Sequence, residues 1–135
     1  MTTHPNAQLL QAAYQAAGHG DLGPLLGILS EDITWVDSTL GPLTGSYSKD
    51  QVPRFFGKMT DVYGGTLRAE IASTVADGDH VIVLTRESGT VRGEPLAWTG
   101  VHVWSFDQGL ATRFVSYGSA EYQRFWAGQE SAASS

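Results

Sequence analysis

The stretch Trp98–Phe106, WTGVHVWSF, constrains the fold of this chain more than any other. Val101 and Val103 alternate with Gly100, His102, Trp104 and Phe106, so the two sets point to opposite faces of a β-strand. Both sets are mainly apolar, which suits a strand covered on both sides better than a wet edge. On one face, two Trp and a Phe flank a lone imidazole. Two readings of His102 stand at this point: a titratable group in a pocket wall, or a core His bonded to a backbone carbonyl.

The neighbouring segments extend this strand into a meander. Thr66–Ala76 reads as a strand, Asp77-Gly78-Asp79 as a hairpin turn, and His80–Val91 as the returning strand. Arg92-Gly93-Glu94-Pro95 turns into Leu96–Phe106, and Asp107-Gln108-Gly109 turns into Leu110–Tyr117. Helical spacing dominates the first half. Leu10, Tyr14 and Ala17 share one face of a helix over Asn6–Ala17, which Gly18 and Gly20 end. Asp21 caps a second helix, Leu22–Leu29. Ile33–Asp37 is a short strand, and Ser38–Gly45 a loop by its Gly, Pro and Ser content. A third helix carries Phe55, Phe56, Met59 and Val62. Ser48 and Gln51 match a capping box, but a start at Asp50 places Pro53 in the first turn and is preferred. Glu121–Trp126 reads as a short closing helix, with a disordered tail from Gly128 to Ser135. Helices first and strands after is the α+β pattern, here helices laid across a curved antiparallel sheet around a central cavity.

Composition narrows the function. The 135 residues suffice for one domain, and 41% hydrophobic against 16% charged residues is a globular balance. A net charge of −6 argues against nucleic acid and anionic membrane surfaces as partners. The absence of cysteine removes thiolate ligands and thiol nucleophiles. No signal-peptide pattern or membrane-length apolar run is present, so a cytoplasmic location is expected. No His pair has metal-ligand spacing and no nucleotide-binding loop occurs, so neither metal nor cofactor is expected.

The order of elements and several short motifs resemble the nuclear transport factor 2-like superfamily, in its SnoaL-like, ketosteroid-isomerase-related branch. AAYQAAGHGDLGPLL is similar to that group's first helix, Gly-Asp junction and second helix. ITWVDSTLGPLTGSYSKDQVPRFF is similar to its short strand, loop and aromatic-rich third helix. The GGTLRAEI helix end, the DGDH turn and GVHVWSFDQGLATRFVSYG, like the last hairpin, complete the likeness, from about Leu9 to Trp126. The resemblance implies a cystatin-like cone formed by a single domain over residues 1–127.

It also implies roles for three residues. Asp37 falls where ketosteroid isomerases place a general base, and an apolar cone raises a carboxyl's pKa toward neutrality. His102 falls where they place a protonated Asp and where polyketide cyclases place an acid/base Asp. Tyr14 lies in the helix that carries their oxyanion donor. Trp35, Phe55, Phe56, Met59, Trp98, Trp104 and Phe106 are wall candidates, with Tyr117 near the mouth. Epoxide hydrolases of the superfamily use an Asp–Arg–Asp set where this chain has Glu87, Gly89 and Ser116, so that chemistry is disfavoured. Arg86 and Glu87 face opposite ways, and Arg86 suits a cross-strand ion pair. His4, His19 and His80 fall in turns or near the terminus and are expected to be solvated.

The expected function is cofactor-independent acid/base proton transfer on an apolar, carbonyl-bearing small molecule, of isomerase or polyketide-cyclase type. Asp37, His102 and Tyr14 would be its catalytic residues. The alternative is a non-catalytic binding or dimerisation module of the same fold. A homodimer is expected in either case, with Val81, Val83, Val101 and Val103 as apolar sheet-face residues.

Overall fold

The long β-segments of the second half zip into one sheet because tight turns hold them in register. Strand β3 (Arg68–Asp77), β4 (His80–Val91), β5 (Glu94–Asp107) and β6 (Leu110–Gly118) are antiparallel neighbours. The turn between β4 and β5 is the two-residue Arg92-Gly93, both at positive φ (51° and 82°), as a tight hairpin requires. Both strands therefore run further toward the turn than Glu94 and Pro95 suggest in the sequence. The computed structural model describes residues 4–39 and 41–134.

Strand β1 (Leu29–Asp37) begins four residues before its sequence-based start and lies parallel to β6. A short β2 (Gly45–Tyr47), which starts at the last residue of the Ser38–Gly45 loop and is not expected from the sequence, pairs antiparallel with β1. The resulting order is β2-β1-β6-β5-β4-β3, a curved, unclosed α+β sheet.

Helix α1 (Pro5–Gly18) starts with Pro5 in its first turn, where the lost N–H costs little, and His4 Nδ1 accepts from Asn6 N–H at 3.2 Å. His4 is thus a helix cap. Helix α2 is only Gly23–Gly27, with Asp21 Oδ1 accepting from Gly23 N–H at 3.0 Å. The Ser48–Gln51 capping box does form, around a 3₁₀ turn at Lys49–Gln51, and α3 (Val52–Tyr63) follows with Pro53 in its first turn. The box and the proline are compatible because the 3₁₀ turn separates them. Helix α4 runs from Ala120 to Ser134, where a disordered tail is expected from Gly128. Gly128 is the lone breaker there, and the Gln, Glu and Ala that follow are adequate helix formers.

Helix α1 packs on α2 and β3, α3 on β4, and α4 on β5 and β6. The inward set of β5 is Leu96, Trp98, Gly100, His102, Trp104 and Phe106. The core also takes Leu10, Leu29, Val52 and Val91, all buried. Val81 and Val83, which the sequence groups with an outer dimer face, point inward and are fully buried. Ile82 and Leu84 stand outside instead, at 37% and 39% exposure. Alternation decides this, because Val81 and Val83 lie opposite the inward Trp104 and His102.

Candidate functional site

The space between the helices and the inner sheet face is a cavity of about 530 Å³. Asp37, His102 and Tyr14 all line it, as do Trp35, Phe55, Phe56, Met59, Trp98 and Trp104. Tyr117 does not. It lies opposite Val101 on the outer face and is 48% exposed, because alternation along β6 sends Phe114 and Ser116 inward. Phe106 is buried in the core beyond the cavity.

Asp37 ends β1, clamped between Gly45 of β2 and Ser116 of β6. Trp35 shares its face, stacked on Phe114 at 4.0 Å between ring centroids and edge-on to Phe55 at 5.5 Å. The loop after Asp37 is tied back to β6: Gly118 N–H donates to Thr39 Oγ1 at 2.6 Å, and Ser38 Oγ donates to Ser116 O at 2.8 Å. Asp37 is 6% exposed, and its carboxyl accepts from Thr39 N–H at 3.0 Å. Burial raises its pKa from 3.8 to about 6, against the lowering effect of that N–H.

On the opposite wall, Trp104 Nε1–H donates to the Tyr14 hydroxyl at 3.0 Å, and that hydroxyl lies 2.5 Å from His102 Nδ1. The Tyr14 oxygen is an acceptor toward Trp104, and burial holds its own proton far more tightly than usual. His102 Nδ1 is the acceptor in reach of that proton among the described residues. This assigns His102 the tautomer with hydrogen on Nε2. Burial pushes its pKa down to about 4, so the ring is neutral at physiological pH.

Glu87 is the residue that sequence reasoning missed. It lies on β4 opposite Trp98, 11% exposed at its side chain, with Oε2 3.8 Å from His102 Nε2. Thr85 Oγ1 donates to the same oxygen at 2.9 Å. Gly100 makes room for this carboxyl: a Cβ there would stand 2.4 Å from Glu87 Oε2 and 2.6 Å from Thr85 Oγ1. Burial raises the Glu87 pKa, and Asp37 adds to the rise. Arg68 is the cationic residue of the lining, and its guanidinium is turned onto the Gly65 and Leu67 carbonyls. Among the described residues no cation of the wall pairs with the two buried carboxyl groups, which are held by hydrogen bonds from Thr39 N–H and the Thr85 hydroxyl instead. Arg86, across from Glu70, points away from the cavity. Among the described residues no three His, Asp or Glu side chains gather where they could hold a metal ion.

An open curved sheet wrapped over helices around one cavity is the nuclear transport factor 2-like, cystatin-like class of fold. The chain belongs to the SnoaL-like domain family, whose sequence profile matches residues 10–114. Solved structures agree. Bal32a from a soil-derived mobile gene cassette is 22% identical, with 90% of this chain and 95% of that chain covered at a TM-score of 0.81. TerC, co-crystallized with polyporic acid, is 22% identical over 93% and 99% of the two chains, with a TM-score of 0.79. A Xanthomonas campestris protein of unknown function with a cystatin-like fold is 25% identical over 91% and 98%, with a TM-score of 0.78. Comparison with curated proteins finds no match.

Proposed function

We propose that this chain catalyses cofactor-independent proton transfer on an apolar, carbonyl-bearing small molecule, as an isomerase or an aldol-type cyclase does. One observation carries the reading: Asp37, with its pKa near 6, and the His102–Tyr14 pair line the same aromatic-walled cavity. At neutral pH Asp37 is mostly ionised yet more basic than an ordinary carboxylate, as proton abstraction beside a carbonyl needs. His102 Nε2–H is a fixed donor for oxygen on which charge develops. The cavity volume suits a ligand of two or three fused rings. That TerC, similar in fold, was co-crystallized with polyporic acid supports a small organic ligand here.

A binding module is the second reading, and the neutrality of His102 favours it. A ring with pKa about 4 and Nδ1 already occupied does not exchange protons readily at pH 7. The two readings separate on α-proton exchange of 2-tetralone, a hydrophobic ketone, followed by NMR in deuterated water. Catalysis predicts exchange accelerated by the protein and reduced about 10²–10⁴-fold by Asp37→Asn. Exchange no faster than in buffer, or unchanged by Asp37→Asn, leaves the binding reading.

A further inference from the structure

Proton transfer by Asp37 alone leaves Glu87 without a task. We infer that Glu87 is the second proton-transferring group of the cavity: it shares one ligand oxygen with His102 Nε2–H, and the ligand is an enolisable ketone. The inference rests on the proposed function and names the atoms its oxygen meets.

The geometry runs as a chain of donors. Trp104 Nε1–H fills one lone pair of the Tyr14 oxygen, Tyr14 gives its proton toward His102 Nδ1, and Nε2–H is left facing Glu87. His102 is nine-tenths buried, yet Nε2 makes no hydrogen bond among the described residues. The 3.8 Å between Nε2 and Glu87 Oε2 exceeds a hydrogen bond and leaves both groups within reach of one oxygen placed beside them. That oxygen must accept from Nε2–H, and it can also take a proton from Glu87. A carbonyl oxygen becoming an enol hydroxyl does both. Thr85 and the bare Cα of Gly100 hold the Glu87 carboxyl in place for it. Burial without a cation favours the protonated carboxyl, which is the form that donates.

The step balances without a co-reactant. Asp37 carboxylate takes the α-proton, and the C–H electron pair becomes the C=C bond. The carbonyl π pair moves to oxygen, and Glu87 gives that oxygen its proton. Reversal at the same carbon exchanges the proton; reversal at a conjugated carbon isomerises the ligand. His102 is a hydrogen-bond donor and positioning residue that stays neutral throughout.

The probes are 2-naphthol, shaped like the enol of 2-tetralone, and 2-methoxynaphthalene, whose oxygen only accepts. Fluorescence titration of the wild type should show 2-naphthol bound about tenfold tighter or more. Glu87→Leu should erase that preference. Glu87→Gln, nearly isosteric, should hold 2-naphthol within a few-fold and slow 2-tetralone exchange about 10²–10⁴-fold. The His102 Nε2–H resonance should move when 2-naphthol binds. A preference that survives Glu87→Leu, exchange unchanged in Glu87→Gln, or a static Nε2–H signal overturns the assignment and leaves the proposed function standing. Binding of neither probe overturns both.

Discussion

Asp37 shows what one buried carboxyl does to a small protein. Its pKa in the folded chain, about 6, lies above the ordinary 3.8, so protonation favours folding. The stability it contributes is fully present below about pH 4 and is lost as pH rises through 6. Asn keeps the oxygen that accepts from Thr39 and removes the titration. Asp37→Asn is therefore more stable than the wild type by about 2–3 kcal/mol at pH 8, with no gain at pH 3, in urea unfolding. A difference independent of pH would put the carboxyl in water. Tyr14 joins two walls by two hydrogen bonds. Tyr14→Phe strands Trp104 Nε1–H and His102 Nδ1 and lowers stability by about 1–3 kcal/mol. It also frees the imidazole to change tautomer, which ¹⁵N chemical shifts of His102 would register; unchanged shifts would show that Tyr14 does not set it.

At the scale of elements, β4 and β5 bring the site together, and a glycine lets them. Gly100→Ala pushes a methyl group onto Glu87 and Thr85, costing about 1–3 kcal/mol and breaking the Thr85–Glu87 hydrogen bond. Thermal unfolding and a crystal structure of the variant check both effects; a melting point equal to the wild type's contradicts the close approach. The same hairpin shows what was legible. Alternation in WTGVHVWSF puts Trp98, His102 and Trp104 on one face, and the structure has them there. Glu87 follows by arithmetic once the turn is two residues: Val91 pairs with Glu94, and counting back sets Glu87 opposite the inward Trp98. Reading Arg92–Pro95 as a four-residue turn slips the register by two residues and sets Glu87 opposite Gly100, still on the inward face, so parity alone points the carboxyl inward; from the sequence, Glu87 is weighed only against the epoxide-hydrolase set. The pairing of β1 with β6 is a different matter. It joins segments more than seventy residues apart, and no local pattern in either one encodes its partner. Tyr117 ends a strand near the mouth, but position along the chain does not set its face; parity along β6 does, and it sends Tyr117 outward opposite Val101.

For the whole molecule, the sheet has two apolar faces and its helices cover one. Across the outer face Val75, Ile82, Val103, Val115 and Val36 stand opposite one another on five strands, with Leu84, Val101 and Tyr117 in the next row. Val75 and Tyr117 are about half exposed, at 54% and 48%. This face suits a second copy of the chain. Light scattering is expected to give a dimer for the wild type and a folded monomer for Ile82→Lys; a wild-type monomer at tens of micromolar rules the interface out. No helix among the described residues is long and apolar enough to cross a membrane. The central claim is that sheet and helices enclose one aromatic-walled cavity with Asp37 and His102 buried on its walls. Carbon- and nitrogen-detected NMR titration of these two side chains in the folded protein tests it most directly. The account predicts an Asp37 midpoint near 6 and a His102 ring neutral down to about pH 4. Midpoints near 3.8 and 6.5, the values of the free side chains, would contradict it.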